Sequence, residues 1–337
     1  MILYLVQHWL QLNKRGWKFV IYDSNQQSEK IVPIWLIDAI VLFARIQLTT
    51  DVMTACLREK IPVFFIVWNG KYLWKLDSLE VKNVEVLYKH ISCALDERCS
   101  LKYAKKFITS KIFNSKIMLK RWARLSTKKV NIDDIVEKLE IFIKNIENAK
   151  SIDKLRWYEW NASKIYYQWF ARFLPTWYVW TWRNKRPPKD PVNALLSLGY
   201  TLLAQTIHMY LEILSLEPQI GFMHQPKDLR TLLVLDMMEM FRAWIVDDLV
   251  LKVLRKNIIE KDDFIIDRHS QTPVLLTEDG LRKFIEQYYK DVFKKSEYDN
   301  VLDGTKWVKL KYVEKTMEEF KKSLIDENFE YKGFRLK

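Results

Sequence analysis

The hydrophobic pattern of this 337-residue chain changes its period once, and that change limits the folds open to it. As far as residue 76, short runs of branched and aromatic residues alternate with turn residues, as in KFVIY, EKIVPI, IPVFFIVW and KYLWKL. Such runs are typical of β-strands. From Asp96 onward the apolar residues recur at helical spacing. The pattern predicts an α+β, multidomain chain, with a small, mostly β domain over residues 1–85 and a larger all-α domain over residues 86–337.

Local signals place the elements of the predicted β domain. Asn69-Gly70 lies between two strand-like runs and predicts a hairpin turn over residues 68–71. The run TTDVMTACLREK predicts one short helix, with Thr49 or Thr50 as its cap and Asp51 in its first turn. Residues 76–95 are charged and weakly patterned. We interpret them as a linker, with some strand possible over residues 84–87.

The charge of the chain indicates an anionic partner. The formal net charge is +13, of which +3 falls within residues 1–90 and +10 within the rest. This excess favours nucleic acid or an acidic membrane as partner, although a basic chain can also serve solubility alone. Residues 101–130 hold ten lysines and arginines and no acid. We expect this segment to bind phosphates through Lys105, Lys111, Lys120 and Arg121. The alternative is a basic helix packed beside an acidic one.

Several classes of protein are disfavoured by the sequence. The three cysteines form no CxxC pair, which predicts no disulfide framework and favours a reducing cytoplasm. No signal peptide is recognisable. The most apolar run contains Asp38 and Arg45, and it is too short and too charged to cross a bilayer. The sequence therefore predicts a cytoplasmic protein with no membrane partner. Only seven glycines occur, and neither GxxxxGK nor GxGxxG is present, which argues against a nucleotide-binding loop.

The segment from Trp157 to Trp182 holds six of the fourteen tryptophans. Such density is typical of a core, and we predict one here. The alternative is a set of stacking platforms for bases. Ser151 is placed to begin a helix before this segment, and Pro175 to break it. The proline-rich run RNKRPPKDPVNALLSLGY then predicts a loop and a new helix, with Asp190 or Asn193 at its start.

Four residues carry the chemistry that a divalent metal needs. Asp236 and Glu239 are three apart in an apolar helical run, so the spacing places both on one helix face. Glu159 lies among aromatic residues, and His224 follows a predicted loop. Oxygen donors with one imidazole suit Mg²⁺ or Mn²⁺, and such a metal beside a basic surface suits phosphodiester chemistry. The alternative is a metal-free network in which Arg242 pairs with the acids.

Five ordered motifs carry a family resemblance. The run EWNASKIYY, beginning at Glu159, resembles the glutamate motif of the CRISPR-associated integrases. These are the universal spacer-acquisition proteins, which insert captured DNA into CRISPR arrays. KIFNSKIMLKR resembles the family's basic helix, and RPPKDPVNALLSLGY resembles its proline-rich loop with the helix that follows. GFMHQPKDLRTLLVLDMMEMFR resembles the histidine motif, and TPVLLTEDGLRKFIEQYYKDV resembles the C-terminal segment. The resemblance runs across nearly the whole chain.

The resemblance implies the remaining functional expectations. It implies that Glu159, His224 and Glu239 bind Mg²⁺ or Mn²⁺, with Asp236 as an adjacent catalytic acid. The implied reaction is transesterification, in which a 3′-hydroxyl of a double-stranded prespacer attacks the repeat at the leader of the array. The implied assembly is a homodimer formed through the β domain, two of which are bridged by a dimer of a small ferredoxin-like adaptation protein. Supporting and DNA-binding roles are implied for Asn193, Tyr200, Arg242 and Arg230.

The chain departs from the family pattern at two places. Trp160 stands where the family often has glycine, and the stretch from Asp228 to Leu233 lacks the usual glycine and serine, with Leu232 among the replacements. The chain stops at Lys337 without an added DNA-binding domain, which argues against the transposon-encoded relatives. Two rival functions stay open from the sequence. They are a non-specific metal-dependent DNA repair nuclease and a non-enzymatic helical scaffold that binds nucleic acid.

Overall fold

Branched and aromatic runs near the N-terminus form two four-stranded sheets in the computed structural model. The structure describes residues 2–5, 9–42, 46–66, 72–78, 83–126, 130–178, 180, 182–184, 187–223, 231–266, 274–293 and 307–337. The chain forms two compact units, Met1–Lys82 and Asn83–Lys337. The first unit is rich in strands and the second is mostly helical, so the predicted α+β fold class is confirmed.

The first unit contains eight strands among its described residues. In chain order they are β1 (Ile2–Leu5), β2 (Leu10–Arg15), β3 (Lys18–Asp23), β4 (Ser28–Pro33), β5 (Ala39–Leu42), β6 (Gln47–Leu48), β7 (Val63–Ile66) and β8 (Tyr72–Leu76). One sheet has the order β1-β5-β7-β8, in which β1, β5 and β7 are parallel and β8 is antiparallel to β7. The other has the order β4-β3-β2-β6, in which β2, β3 and β4 form an antiparallel meander.

The local signals in this unit agree with the structure where they can be compared. Helix α1 (Thr50–Arg58) is capped by Thr49, whose hydroxyl accepts the amide of Val52. The predicted turn at Asn69-Gly70 lies outside the described residues, but the strands on either side, β7 and β8, pair antiparallel. The most apolar run of the sequence supplies the end of β4, a 3₁₀ turn and β5. Among the described residues, none of the helices combines the length and the apolar composition that crossing a membrane requires.

The described residues of the second unit form mainly nine α-helices. They are α2 (Val84–Leu95), α3 (Glu97–Leu125), α4 (Asp133–Glu147), α5 (Ile152–Phe170), α6 (Pro191–Ile213), α7 (Leu232–Met238), α8 (Asp248–Arg255), α9 (Glu278–Val292) and α10 (Lys309–Ile325). A π-helical segment, Arg242–Asp247, leads into α8. A two-stranded ribbon, β9 (Phe264–Ile266) with β10 (Val274–Leu276), adds the strand content that the predicted all-α domain did not include.

The predicted linker over residues 76–95 is wrong in its second half. Its residues 84–95 form α2 instead of a linker or a strand. Asn83 begins the helix by accepting the amides of Glu85 and Val86, and Val86, His90 and Cys93 are buried on one face. The opposite, exposed face carries large apolar side chains instead of charges. The weak periodic pattern of this segment therefore concealed a helix stabilised by burial.

One disulfide joins two helices, although the sequence predicts no disulfide framework. Cys93, near the end of α2, is bonded to Cys99 in the first turns of α3, and the two Cα atoms are 5.2 Å apart. Asp96 separates the two helices and caps α3 through the amide of Cys99. This sharp corner brings together two cysteines that six positions of sequence separate. Cys56 is free and buried.

Helix α3 spans 29 residues and is the longest described helix of the second unit. Its buried face contacts α4, α5 and the π-helical segment. Asn114 is buried in the middle of this helix, where its amide donates to the carbonyls of Met240 and Phe334 and accepts the amide of Leu336. These bonds hold the turn after α7 and the C-terminal residues against α3.

Candidate active site

Two glutamates from separate elements converge on one lysine. Lys111 lies midway along α3, Glu159 lies in α5, and Glu239 lies in the turn that follows α7. The ammonium of Lys111 donates to Oε1 of Glu159 and lies 2.7 Å from Oε2 of Glu239. The three side chains are 12%, 24% and 6% exposed respectively. The site is thus a largely buried acidic pair that shares a single cation.

A second cation completes the charge balance. Nη2 of Arg242 lies 2.9 Å from Oε1 of Glu239, so a different cation contacts each oxygen of this carboxylate. Burial by itself would lower the pKa of Lys111 and of Arg242, but the neighbouring carboxylates outweigh burial and raise both pKa values. Both side chains therefore stay protonated. The hydroxyl of Ser163 donates to Oε1 of Glu159 at 3.0 Å and helps to fix that carboxylate.

The donor set of this pair fits a divalent metal. The two carboxylates already point their oxygens at one positive charge, and carboxylate oxygen is the ligand that Mg²⁺ and Mn²⁺ prefer. Within the described ranges, no group of three histidines, cysteines or acids is gathered closely enough to hold a metal. The predicted third ligand, His224, and the predicted DNA-binding Arg230 lie in residues 224–230, outside the described residues.

The turn that leads to His224 is held from two sides. Asp236 is fully buried and accepts the amides of Phe222 and Met223 at 2.7 and 2.9 Å. Nε of Arg156, from α5, donates to the carbonyl of Met223 at 3.0 Å. A Cβ atom on Gly221 would lie 2.8 Å from Oδ2 of Asp236, so the close approach requires glycine. Asp236 therefore positions this turn.

Asp236 and Glu239 lie three positions apart at the end of α7, and their carboxylates have different partners. Helix α7 ends at Met238, and Glu239, its C-terminal cap, keeps right-handed helical dihedral angles (φ −55°, ψ −35°). Asp236 contacts the turn before His224, whereas Glu239 contacts Lys111 and Arg242. The two acids therefore have separate roles, which tertiary contacts decide.

The predicted supporting residues belong to two polar networks. Asn193 is buried and organises the proline-rich loop: it accepts from Arg183 at 2.8 Å and donates to the carbonyl of Trp182 at 2.8 Å. The hydroxyl of Tyr200 donates to Oδ1 of Asp247. The other carboxylate oxygen of Asp247, Oδ2, accepts the hydroxyl of Tyr166 at 2.6 Å.

The Asp247 network extends to the acidic pair through Arg242. The guanidinium carbon of Arg242 lies 4.8 Å from the centre of the Tyr200 ring. Burial raises the pKa of Asp247 to about 6, and the hydroxyls of Tyr166 and Tyr200 offset only part of that rise. The network thus joins a buried acid to the cation that holds Glu239.

The four predicted phosphate-binding cations of α3 separate into three environments. Lys105 donates to the carbonyl of Glu147 at 2.9 Å, and Lys111 turns inward to the acidic pair. Lys120 and Arg121 line an open cleft of about 220 Å³ together with Ile117, Arg124 and Lys337. This lining contains four cationic side chains and no acid, so we call it the cationic cleft. The structure thus places Lys111 away from the surface role that the sequence suggested.

The tryptophan-rich segment is less buried than predicted. The side chains of Trp157, Trp160, Trp177 and Trp182 are 40–57% exposed, so the core prediction is wrong for these four. Trp180 packs against Tyr167 and Phe170. Trp157 and Trp160 lie three positions apart on one face of α5, and each has a lysine near its ring, Lys154 and Lys164. The stacking alternative is compatible with this exposure.

Sequence reasoning missed several residues of the site. Arg156 and Asp247 have no motif around them, and the partners that matter here come from other elements. Ser163 lies within the glutamate motif, but no role was assigned to its bond to Glu159, one turn earlier in α5. One signal could have identified Asp247. It is an acid in a run of buried apolar residues, which requires a buried partner such as a tyrosine hydroxyl.

These features define a class of protein: a strand-rich unit is followed by a helical unit that carries an acidic centre and a cationic cleft. Comparison with known families then identifies the chain. It belongs to the family described as CRISPR associated protein Cas1, whose model matches residues 3–290. The predicted family is therefore confirmed.

Two curated relatives indicate the range of the family. One is CRISPR-associated endonuclease Cas1 1 of Thermodesulfovibrio yellowstonii, which is 33% identical over 271 residues, covering 80% of this chain and 84% of the relative. The other is a CRISPR-associated exonuclease Cas4/endonuclease Cas1 fusion of Geobacter sulfurreducens, 32% identical over 253 residues. That match covers 73% of this chain, and the chain spans 45% of the length of the fusion.

Solved structures share the fold along the whole chain. A chain of a partial Cas6-RT-Cas1–Cas2 complex has a TM-score of 0.81 at 21% identity, covering 99% of this chain and 98% of that one. A casposase bound to integration product has a TM-score of 0.73 at 22% identity and covers 98% of both chains. At these identities the likeness describes the fold.

Proposed function

We propose that this protein is a divalent-metal-dependent DNA integrase and endonuclease of CRISPR adaptation. The convergence of Glu159 and Glu239 on one buried cation supports the proposal most directly, because it is the arrangement that a metal needs. Membership of the Cas1 family and the endonuclease names of its relatives support the same function. The solved casposase, with its integration product, is an example of this fold in a DNA-joining protein.

In this proposal each residue has a definite role. Glu159, Glu239 and His224 would hold Mg²⁺ or Mn²⁺. When bound, the metal would polarise the phosphodiester and favour attack by a 3′-hydroxyl. Arg242 orients Glu239 through Oε1, and Ser163 orients Glu159.

The surroundings of the site bind and position the substrate and the metal ligand. Asp236 and Arg156 hold residues 222–223, which directly precede His224 in the sequence. Phosphates of the incoming DNA bind in the cationic cleft, with Lys105 and Arg230 as further contacts. Exposed Trp157 and Trp160 offer ring faces to unpaired bases.

The assembly belongs to the same proposal. The strand-rich unit, residues 1–85, would form the homodimer, and residues 86–337 would carry the catalytic centre. A small ferredoxin-like adaptation protein would bridge two dimers in the cytoplasm. The similarity to a chain of a Cas6-RT-Cas1–Cas2 complex supports a partner of this kind. The DNA substrates would be a double-stranded prespacer and the leader end of a CRISPR repeat.

A strand-transfer assay tests the function. A labelled prespacer with free 3′-hydroxyls is incubated with a repeat-bearing plasmid and Mn²⁺, and the covalent joint product is measured. We expect wild-type protein to join the two DNAs, and a prespacer with dideoxy 3′ ends to abolish joining. We expect Glu159→Gln and Glu239→Gln each to reduce joining at least about a hundredfold, as removal of an electrostatic catalytic group commonly does.

The control variant is Glu140→Gln, which also replaces a glutamate that pairs with a lysine of α3. It should join DNA at the wild-type rate, because Glu140 is half-exposed and pairs with Lys116 instead of Lys111. Cleavage of the plasmid without joining would favour a non-specific repair nuclease. DNA binding with neither cleavage nor joining would favour a non-enzymatic scaffold.

A further inference from the structure

Lys111 occupies the point at which the two carboxylates of the site converge. Its ammonium contacts both Glu159 and Glu239, and its side chain is more buried than that of Glu159 and less buried than that of Glu239. A metal bound by both carboxylates would need the same oxygens. Lysine and metal therefore have overlapping positions in this site.

We propose that Lys111 is an internal counter-ion that competes with the divalent metal for Glu159 and Glu239, so that the metal binds by displacing it. The inference rests on the proposed function, since it assumes that these carboxylates are the metal ligands. The inference assigns to Lys111 two roles: it sets the metal affinity of the protein, and it balances the charge of the acidic pair when no metal is bound.

Charge balance supports displacement over co-occupancy. Lys111 and Arg242 neutralise the two carboxylates, so the metal-free centre carries no net charge. A divalent ion added beside the ammonium would place three positive charges within ~4 Å in a region of low dielectric, where such repulsion is strong. Departure of the ammonium removes this repulsion. The exchange requires no proton transfer, because the lysine leaves protonated and the metal takes the carboxylate oxygens.

The two cations differ in their freedom to leave. Arg242 is fixed from a second direction, since its guanidinium stacks on the ring of Tyr200 at 4.8 Å while it pairs with Glu239. Lys111 is a point charge on a flexible stem, and its described polar contacts are the two carboxylates. Lys111 is therefore the cation that exchanges, and Arg242 is the one that stays.

Manganese binding to the full chain, without DNA, tests the proposal. Free Mn²⁺ is measured from its paramagnetic resonance signal during titration of wild-type protein and variants. Lys111→Gln removes the competing charge and should bind Mn²⁺ about tenfold or more tightly than wild type. Lys111→Arg keeps the charge and should bind no more tightly than wild type. Equal or weaker binding by folded Lys111→Gln would overturn the proposal, as would tighter binding by Lys111→Arg.

The matched control is Lys116→Gln. Lys116 lies on the same helix, its side chain is 10% exposed against 12% for Lys111, and it pairs with Glu140 at 3.1 Å. Its replacement should leave the Mn²⁺ affinity unchanged. Tightening of equal size in this control would mean that overall charge, and not the position of Lys111, sets the affinity, and would also overturn the proposal.

Two further measurements keep the result interpretable. Glu159→Gln and Glu239→Gln should each abolish the Mn²⁺ binding that wild type shows. If neither variant binds less Mn²⁺ than wild type, the proposed metal centre itself is wrong. If that site exists and Lys111→Gln leaves its affinity unchanged, only the present inference fails. Should Lys111→Gln be unfolded without metal, its circular dichroism is followed during Mn²⁺ addition. Recovery of helix supports competition, and no recovery at saturating Mn²⁺ contradicts it.

Discussion

The ammonium of Lys111 lies 2.7 Å from one carboxylate oxygen of Glu239, and the guanidinium of Arg242 lies 2.9 Å from the other. The carboxylate of Glu239 thus lies between two buried cations, one at each of its oxygens. Removal of one member of a buried ion cluster leaves an uncompensated charge, which is the costly case. We therefore expect Glu239→Gln to lower the free energy of unfolding by about 3–5 kcal/mol.

A double-mutant cycle distinguishes this charge effect from lost packing. In the Glu239→Gln background, Lys111→Met should cost less than it does in wild type, or should restore stability, with a coupling of about 1–3 kcal/mol. The free energies come from denaturant unfolding followed by helical circular dichroism. Additive effects of the two changes would show that the pair has no energetic coupling.

Asp236 gives a second prediction, because its carboxylate accepts two buried backbone amides. Asp236→Ala leaves both amides without this acceptor, and we expect a loss of about 2–4 kcal/mol of stability. Hydrogen exchange followed by mass spectrometry should show faster exchange at Phe222 and Met223. Unchanged exchange there would mean that Arg156 and the packing of Phe222 suffice to hold the turn.

The sequence predicted elements whose cause is local and failed where the cause is tertiary. Ser151 is predicted as a helix start, and Thr49 and Asp190 are each one of two predicted alternatives. Each of the three accepts the backbone amide of the residue three positions later. Caps of this kind depend on a few neighbouring residues. Helix α2 was missed because its buried side chains pack against α3 and α10, and the apolar residues exposed on its other face obscured the helical period.

The candidate site shows the same division. The sequence identified Glu159 and Glu239, which the structure brings to one cation, but it assigned Lys111 to the DNA surface. No periodicity argument can tell whether a lysine of a basic helix points outward or toward acids contributed by distant segments. Spacing along a helix also cannot show which distant segment each acid contacts. Asp236 accepts the amides of the turn at residues 222–223, whereas Glu239 contacts Lys111 and Arg242.

The Cys93–Cys99 bond gives a third prediction, for the corner between α2 and α3. Its loop is short, so the chain-entropy model gives about 2 kcal/mol of stabilisation. The double variant Cys93→Ala/Cys99→Ala should unfold at lower denaturant than wild type and be insensitive to dithiothreitol. Denatured, unreduced wild type should expose one thiol, from Cys56. Three thiols in that assay would contradict the disulfide.

The cationic cleft gives a fourth prediction. Lys120 and Arg121 line it without an acid among the lining residues, so they are placed to neutralise two phosphates. Lys120→Gln/Arg121→Gln should weaken binding to duplexes of any sequence and reduce the slope of log affinity against log salt by about 2. Lys315→Gln, which alters an exposed lysine of α10, is the control and should change neither. A sequence-dependent loss would indicate base contacts instead.

Asp247 gives the fifth prediction, a pH dependence of stability. Burial raises its pKa to about 6 in the folded protein, against about 3.9 for an unfolded aspartate. The folded state therefore binds a proton more tightly than the unfolded state does. The resulting stabilisation is fully present below pH ~3.9 and is lost as the pH rises through ~6, a change of up to about 3 kcal/mol.

Asp247→Asn removes this titration while keeping a side chain of the same shape beside Tyr166 and Tyr200. Its unfolding free energy relative to wild type should therefore rise between pH 4.5 and pH 7, because only wild type must hold a buried negative charge at the higher pH. Denaturant unfolding at four pH values gives the difference in unfolding free energy between the variant and wild type. The titration of all other groups cancels in this difference because both proteins share those groups. A difference that stays constant with pH would mean that the carboxylate is ionised throughout, with its charge fully balanced by the two hydroxyls and Arg242.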